Sequence, residues 1–284
     1  MKKVLVVLVL AVMLVSVCAC SYVPSTRFLS RSQVNALVKE YGIPRAEVTL
    51  SYTLKDGGVE KDFEIKIIYD LLLSQTPLAV IRFIQLANEG FYDDTVLDTY
   101  HSSSPKYMIL GRYAYKESAV DEGEMKFFVN KSATSDITFK GEFAQNNYRE
   151  PKAGYAETKP YSLAMYHENY VDSKNTNYDT ANGALMLTMD NYLNNKNYAV
   201  FAHMVSMSLK VGDGEAVTYP EGSVHPTAHA NLAGFTRTDR SRSIYTDETE
   251  ETKAPSFTMM DQIVTVRVKI LGGDNWDKLP RVGK

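Results

Sequence analysis

The sequence predicts a mainly β protein with a few helices, and three stretches carry that prediction. Val48–Leu54 alternates apolar and polar residues and is joined through Asp56-Gly57-Gly58 to a second run, in which Phe63, Ile65 and Ile67 alternate with Glu64, Lys66 and Ile68. Asp-Gly-Gly between two alternating runs is a hairpin signal, because glycine adopts the positive φ that a tight turn needs. The second stretch is a helix: Thr76 can cap it, Pro77 stands at its first position where a missing N–H costs nothing, and Gly90 stops it. Its apolar residues Val80, Phe83, Ile84 and Ala87 fall on one face. The third stretch, Ile263–Ile270, is a β-branched run that closes the chain as a strand.

Between these markers the elements follow in order. Residues 21–45 hold a short helical pattern with Val34, Leu37 and Val38 on one side, expected to serve as a tether. After Gly111 the pattern is irregular through Lys140, with a strand expected at Met125–Val129. Tyr161–Met165 and Gly183–Thr188 read as strands, separated by a loop rich in Asn, Asp, Tyr and Ser. In Tyr198–Ala202, a short polar turn feeds a strand with Ala199 and Phe201 on one face, Tyr198 and Val200 on the other. Residues 212–255 are rich in Gly, Ser, Thr and charge and read as a long loop or insertion.

The 284 residues suffice for one large domain, and a net charge of −3 gives no reason to expect a nucleic-acid partner. Lys2 and Lys3 precede an apolar run from Val4 to Val17. At about 1.5 Å per residue that run is too short for a membrane core of about 30 Å, so it reads as a signal-peptide core. It ends in Val17-Cys18-Ala19-Cys20, which resembles the lipobox of bacterial lipoproteins. In that reading residues 1–20 are the signal peptide with its lipobox, and Cys20 becomes the lipid-bearing N-terminus. The protein is then exported and held at the extracytoplasmic side of a bacterial membrane; the alternative is a secretory signal cleaved near Ala19. Both cysteines lie here, so no disulfide holds the exported domain together.

The order of strand, Pro-started helix and Gly stop, followed by FYDDT and YMILG, resembles the front half of a cyclophilin-type peptidyl-prolyl isomerase. Gly141-Glu142-Phe143, the Leu163-Ala164-Met165 run and Tyr198-Ala199-Val200-Phe201-Ala202 resemble later segments of that family. The resemblance covers residues 46–274, with insertions near 112–140 and 212–255 and a tail at 275–284. It implies a cyclophilin-like closed antiparallel eight-stranded barrel capped by one or two helices, a closure that removes exposed sheet edges.

Rotation about a prolyl peptide bond faces a barrier of about 18–20 kcal/mol from the partial double bond of the amide. Catalysis needs an apolar pocket for the ring, donors for the flanking carbonyls, and a cation near the prolyl nitrogen; it needs no cofactor and no metal. In the family an arginine supplies the cation, and here Thr99 stands at its position. No arginine occurs between Arg82 and Arg112, and no glutamine between Gln85 and Gln145 or between Gln145 and Gln262. The resemblance places the peptide-binding surface at Tyr107, Met108 and Leu110, at the Tyr166–His167 edge, at Met186, and at Tyr192, Leu193 and Tyr198. Tyr192 replaces the Trp of many relatives, Tyr198 the His, and Leu110 the first family Gln. Arg112, just past the pocket strand, has two readings: a substitute cation that swings in, or, as the expected one, an exposed arginine turned away as that family position is.

His225 and His229 have metal-like spacing, but Pro226 between them argues against a helix that would align the rings, so an exposed loop pair is expected. The DETEET run at 247–252 reads as a solvated acidic loop. The function expected is that of an isomerase-like protein acting on or binding proline-containing segments of exported polypeptides, with catalysis weak or lost. A non-catalytic peptide-binding or scaffold domain is the first alternative. An unrelated β-rich solute-binding lipoprotein is the second.

Overall fold

The computed structural model describes residues 28–97, 99–101, 106–117, 125–130, 142, 148, 156–167, 181–190, 198–235, 237–241, 244–245, 251–252, 258–260, 263–273, 275–276 and 279. The signal peptide with Cys20, the acidic run near Glu248, Tyr192 and Leu193 lie outside these residues, as does most of the C-terminal tail.

The architecture grows from the expected hairpin. Strands β1 (Arg45–Asp56) and β2 (Val59–Leu71) pair antiparallel through twelve residues each, from Arg45↔Asp70 to Asp56↔Val59. The turn glycines Gly57 and Gly58 both take positive φ, the conformation for which glycine has no steric penalty. Along β2 every second residue from Phe63 to Leu71 is buried, so one face lines the core.

Around this hairpin the sheet runs through nine strand segments. They are β3 (Thr95–Val96), β16 (Thr265–Leu271), β1, β2, β10 (Val200–Val211), β8 (Leu163–His167), β9 (Ala181–Thr188), β5 (Tyr107–Leu110) and β4 (Thr99–His101), each antiparallel to its neighbour. The first and last segments of that path, β3 and β4, are separated in the chain only by Leu97 and Asp98. The sheet therefore returns on itself as a nearly closed barrel, eight-stranded if the interrupted strand is counted once. The Leu97 N–H donates to Val264 O at 3.0 Å and carries the seam past the interruption. Outside the barrel, β6 (Tyr113–Glu117) and β7 (Met125–Val129) continue the sheet from β3 toward β13 (Ile244–Tyr245) and β14 (Glu251–Thr252). β12 (Arg237–Ser241) and β15 (Thr258–Met260) form a separate pair, and the short β11 (Val217–Thr218) adds to β10.

Three helices accompany the barrel among the described residues, and each departs from its sequence expectation. Helix α1 (Arg31–Tyr41) lies in the segment expected to be a tether. Ser30 and Gln33 close a capping box at its start and Gly42 ends it at φ 84°. Leu29 and Val34 nevertheless pack into the main core, and the Tyr41 ring lies 5.2 Å from that of Trp276. A pattern of only three apolar residues is too sparse to signal that burial.

Helix α2 (Pro77–Asn88) starts at the expected proline, but it is buried on all sides from Pro77 to Leu86 rather than on one face. Thr76 makes no side-chain cap; its hydroxyl donates instead to Val200 O at 3.2 Å. The capping group is the carboxylate of Glu142, which accepts from the N–H groups of Leu78 at 3.0 Å and Ala79 at 2.9 Å. Val80 N–H bonds Thr76 O. With proline at the first position, every first-turn donor is thereby satisfied, as a buried helix end requires.

Helix α3 (Pro226–Gly234) corrects the reading of His225 and His229. Pro226 is its first residue, and the His225 side chain is its N-cap, accepting from the Ala228 N–H at 3.4 Å. His225 is buried, and burial lowers its pKa. His229 shares a 2.8 Å hydrogen bond with the Tyr161 hydroxyl. The two rings thus serve the fold separately. Ala228, Leu232 and Phe235 pack on the core, so residues 225–235, within the expected long loop, are an integral layer. No described helix is long and apolar enough to cross a membrane.

Candidate functional site

Strand register decides which residues share a face. In antiparallel sheets, residues directly opposite one another project to the same side. Met108 stands opposite Leu187, and Leu187 opposite Leu163; Leu110 stands opposite Leu185, and Leu185 opposite Met165. All six belong to the main core inside the barrel. The intervening residues therefore project outward. Ile109 is opposite Met186, Met186 opposite Ala164, and Ala164 opposite Val200, giving an outer row across β5, β9, β8 and β10.

Ala164, Met186, Val200 and Ala156 form a second apolar cluster of their own, separate from the barrel core and 4% exposed or less. Leu72, Tyr107, Tyr166 and Tyr198 pack around it half-buried. The result is an apolar floor walled by three half-buried tyrosines, side chains that join an apolar ring to a polar hydroxyl. Ala156 is held on the sheet by its own segment. His203 Nε2 is 2.7 Å from Glu157 O, and the Thr188 hydroxyl reaches both Lys159 O at 3.0 Å and Ser162 O at 3.1 Å.

One cation joins this surface. Continued alternation past Leu110 would aim residue 112 inward with Met108 and Leu110. Gly111 breaks the alternation at φ 83°, and a Cβ there would stand 2.9 Å from the Tyr92 ring, so glycine is required by both backbone and space. Arg112 then falls on the outer side, half-buried. Its Nη1 donates to the Tyr166 hydroxyl at 3.5 Å, and its guanidinium carbon lies 5.4 Å from the Tyr166 ring centroid and 5.1 Å from that of Tyr113. These are cation–π distances. The turn is anchored by Asn130, whose side chain donates to Phe91 O at 2.8 Å and Gly111 O at 3.2 Å, while its backbone N–H bonds Arg112 O at 3.0 Å. Burial raises the pKa of Tyr107, and the nearby Arg112 charge pulls it back down. The expectation that Arg112 turns away is thus overturned, for the left-handed residue before it redirects the chain.

Of the residues expected to bind peptide, Tyr107, Tyr166, Met186 and Tyr198 meet at this surface. Met108 and Leu110 do not: they face the barrel interior. All four residues of YMIL are apolar, so the sequence carries no inward–outward signal there, and register alone sets Met108 and Leu110 on the side of β5 opposite to Tyr107. Thr99 pairs opposite Ile109, and His167 stands opposite Ala181 in register; their placement is stated for the backbone. Ala156, Ala164, Val200 and Leu72 are additions, and Arg112 takes its substitute-cation reading rather than the turned-away one. The alternation of Tyr198 and Val200 against Ala199 and Phe201 points to one of them, Val200.

A different cleft, of about 420 Å³, opens on the outer faces of β1, β2 and β16. Glu47, Glu64, Lys66, Arg267 and Lys269 line it. Its charges are of both signs, with Lys66 Nζ 3.4 Å from Glu64, and it has no aromatic side chain in its lining. The tyrosine-walled surface is the better candidate on chemistry. It sets half-buried aromatic rings beside a guanidinium. Among the described residues no group of three His, Cys, Asp or Glu is placed to hold a metal.

The model of the family described as "Cyclophilin type peptidyl-prolyl cis-trans isomerase/CLD" matches residues 59–219, more than half of the chain. The protein belongs to the cyclophilin family. The match contains the strands and tyrosines of the candidate site. It also removes the reading as an unrelated β-rich solute-binding lipoprotein. No curated protein matches the chain. Among solved structures, the chain is similar to a cyclophilin-type peptidyl-prolyl cis-trans isomerase of Cryptosporidium parvum, determined in the presence of the dipeptide Ala-Pro. That match has 13% identity, covers 80% of this chain and 99% of the other, and has a TM-score of 0.39. It is also similar to a cyclophilin from Hirschia baltica at 12% identity, over 63% of this chain and 71% of the other, with a TM-score of 0.30. Neither superposition is close enough to carry residue roles onto this cyclophilin.

Proposed function

We propose that this cyclophilin-type protein binds proline-containing segments of exported polypeptides on the surface walled by Tyr107, Tyr166 and Tyr198, and isomerises them slowly. The observation that carries the reading is the group of half-buried tyrosines packed on the separate apolar cluster of the outer face of β8, β9 and β10, with a guanidinium against one of them. Slow turnover is inferred from Thr99 at the family arginine position and from the long stretches without arginine or glutamine. Loss of one well-placed transition-state donor typically costs about 10²–10³ in rate. The lipobox-like Val17-Cys18-Ala19-Cys20 supports attachment through Cys20 at the extracytoplasmic face of a bacterial membrane, where exported chains pass unfolded.

The test is titration of the protein with an Ala-Pro tetrapeptide followed by NMR. Chemical-shift changes are expected, and Tyr198→Ala is expected to weaken binding by about ten-fold, the effect of removing one aromatic contact worth somewhat over 1 kcal/mol. A peptide that leaves the spectrum unchanged at millimolar concentration removes the reading. Binding without any exchange catalysis favours the non-catalytic peptide-binding domain, the reading that the missing arginine supports. Attachment is checked separately: Cys20→Ser is expected to move the protein from the membrane fraction to the soluble one.

A further inference from the structure

An amide nitrogen releases its lone pair from the C–N double bond most easily when a positive group lies beside it. That rotation makes and breaks no covalent bond, so a placed charge is a central part of the catalytic requirement, beside the ring pocket and the carbonyl donors. The family position for that charge is Thr99, a neutral residue. Among the arginines whose side chains are described, Arg31 is exposed on α1, Arg82 is buried on α2, Arg45 pairs with Asp70 at 2.7 Å, and Arg267 lines the cleft on β1 and β16. Arg112 differs from them in lying beside the site, 5.1 Å from the Tyr113 ring and 5.4 Å from that of Tyr166.

We infer that Arg112 supplies the catalytic cation of this groove, entering from the far end of β5 instead of from the strand that precedes it in the chain. The inference rests on the reading that proline-containing chains occupy the tyrosine-walled surface. Three features make Arg112 a placed group and not a wandering surface side chain. Its backbone is fixed by Gly111 in the left-handed region and by the Asn130 bonds on either side of it. Its guanidinium plane has an aromatic ring as neighbour on two sides and a hydroxyl at 3.5 Å. Its Nη1 reaches the hydroxyl of Tyr166, and Tyr166 and Tyr107 both pack half-buried on the cluster of Ala164 and Met186, so the cation stands at the rings that border the site. A planar, permanently charged group with several N–H donors can turn one edge toward the prolyl nitrogen and another toward the preceding carbonyl. A lysine would bring the charge without the plane.

The experiment is exchange NMR of the Ala-Pro tetrapeptide with the full chain, recording affinity and cis–trans exchange rate separately for wild type, Arg112→Ala and Arg112→Lys. The wild type is expected to exchange the peptide measurably. Arg112→Ala is expected to lower that catalysed rate by about 10²-fold, or to the uncatalysed rate where that is reached first, with affinity changed only a few-fold. Arg112→Lys is expected to recover part of the rate, which a purely structural role would not produce. Circular dichroism of each variant shows whether the fold is retained. Wild type that binds the peptide but never exceeds the uncatalysed rate overturns the inference while leaving the binding reading intact. Equal exchange in Arg112→Ala and wild type overturns it too. A peptide that does not bind wild type at all removes the binding reading, and this inference with it.

Discussion

Replacing Glu142 by alanine is expected to destabilise the protein by about 2–6 kcal/mol, because two buried N–H groups each lose their acceptor at about 1–3 kcal/mol apiece. Glu142 is 1% exposed and is, among the described residues, the side chain that caps the first turn of α2, since Pro77 has no N–H and Thr76 bonds Val200 instead. For a domain whose whole stability is on the order of 5–15 kcal/mol, that loss is large. Urea denaturation measures it, and an unchanged midpoint refutes the capping role. The same residue gives a pH signature. Burial raises the Glu142 pKa to about 8, against the opposing pull of its two backbone hydrogen bonds. The folded state then holds a proton that the unfolded chain has released, so its contribution to stability is complete below about pH 4.5 and declines as pH rises toward 8. At about 1.4 kcal/mol per pH unit, the drop is several kcal/mol. Glu142→Gln cannot titrate, and its stability is expected to lack that slope; parallel pH curves for wild type and E142Q count against the raised pKa.

Phe83→Ala is the second large effect, at about 3–5 kcal/mol lost, the usual cost of emptying a fully packed aromatic site. Phe83 is wholly buried on α2, its ring 5.1 Å from Phe201 and 5.5 Å from Tyr92. Phe201 faces inward on β10 while its neighbour Val200 faces outward into the floor of the candidate site. The cavity left by Phe83 therefore lies one residue's thickness beneath the peptide surface. Peptide affinity is expected to fall along with the denaturation midpoint, with the denaturant slope unchanged. A fall of less than about 1 kcal/mol in a cooperative transition contradicts this packing.

Local chemistry that the sequence displays openly is what survives into the structure. The β1–β2 hairpin follows from Asp56-Gly57-Gly58, α2 from Thr76-Pro77, and β16 from its β-branched run. The two faces of the Tyr198–Phe201 segment are also legible, since alternation there is unbroken. Sequence reasoning errs where one residue type serves two ends. Pro226 argues against a helix when placed inside one, yet at the first helical position it starts one, as Pro77 does. Thr76 resembles a cap because threonine often is one, whereas the carboxylate that caps α2 is 64 residues away in sequence. The site is half legible. Three tyrosines and Met186 come together on one face, Met108 and Leu110 are turned inward by register, and Arg112 escapes a reading by alternation because a single left-handed glycine resets it.

The seam where β1 meets β16 sets a timetable as well as a shape. Arg45 lies opposite Leu271, so the first long strand waits for nearly the last one before its second edge is paired. A chain that emerges N-terminus first can zip β1 to β2 at once, but that ribbon keeps one open row of amide and carbonyl groups until the final segment arrives. Such long-range closure is slow and leaves an edge open to other chains in the interval. Deleting β16 would accordingly yield more than a shorter protein: it would leave a permanently open sheet, with self-association as its default fate.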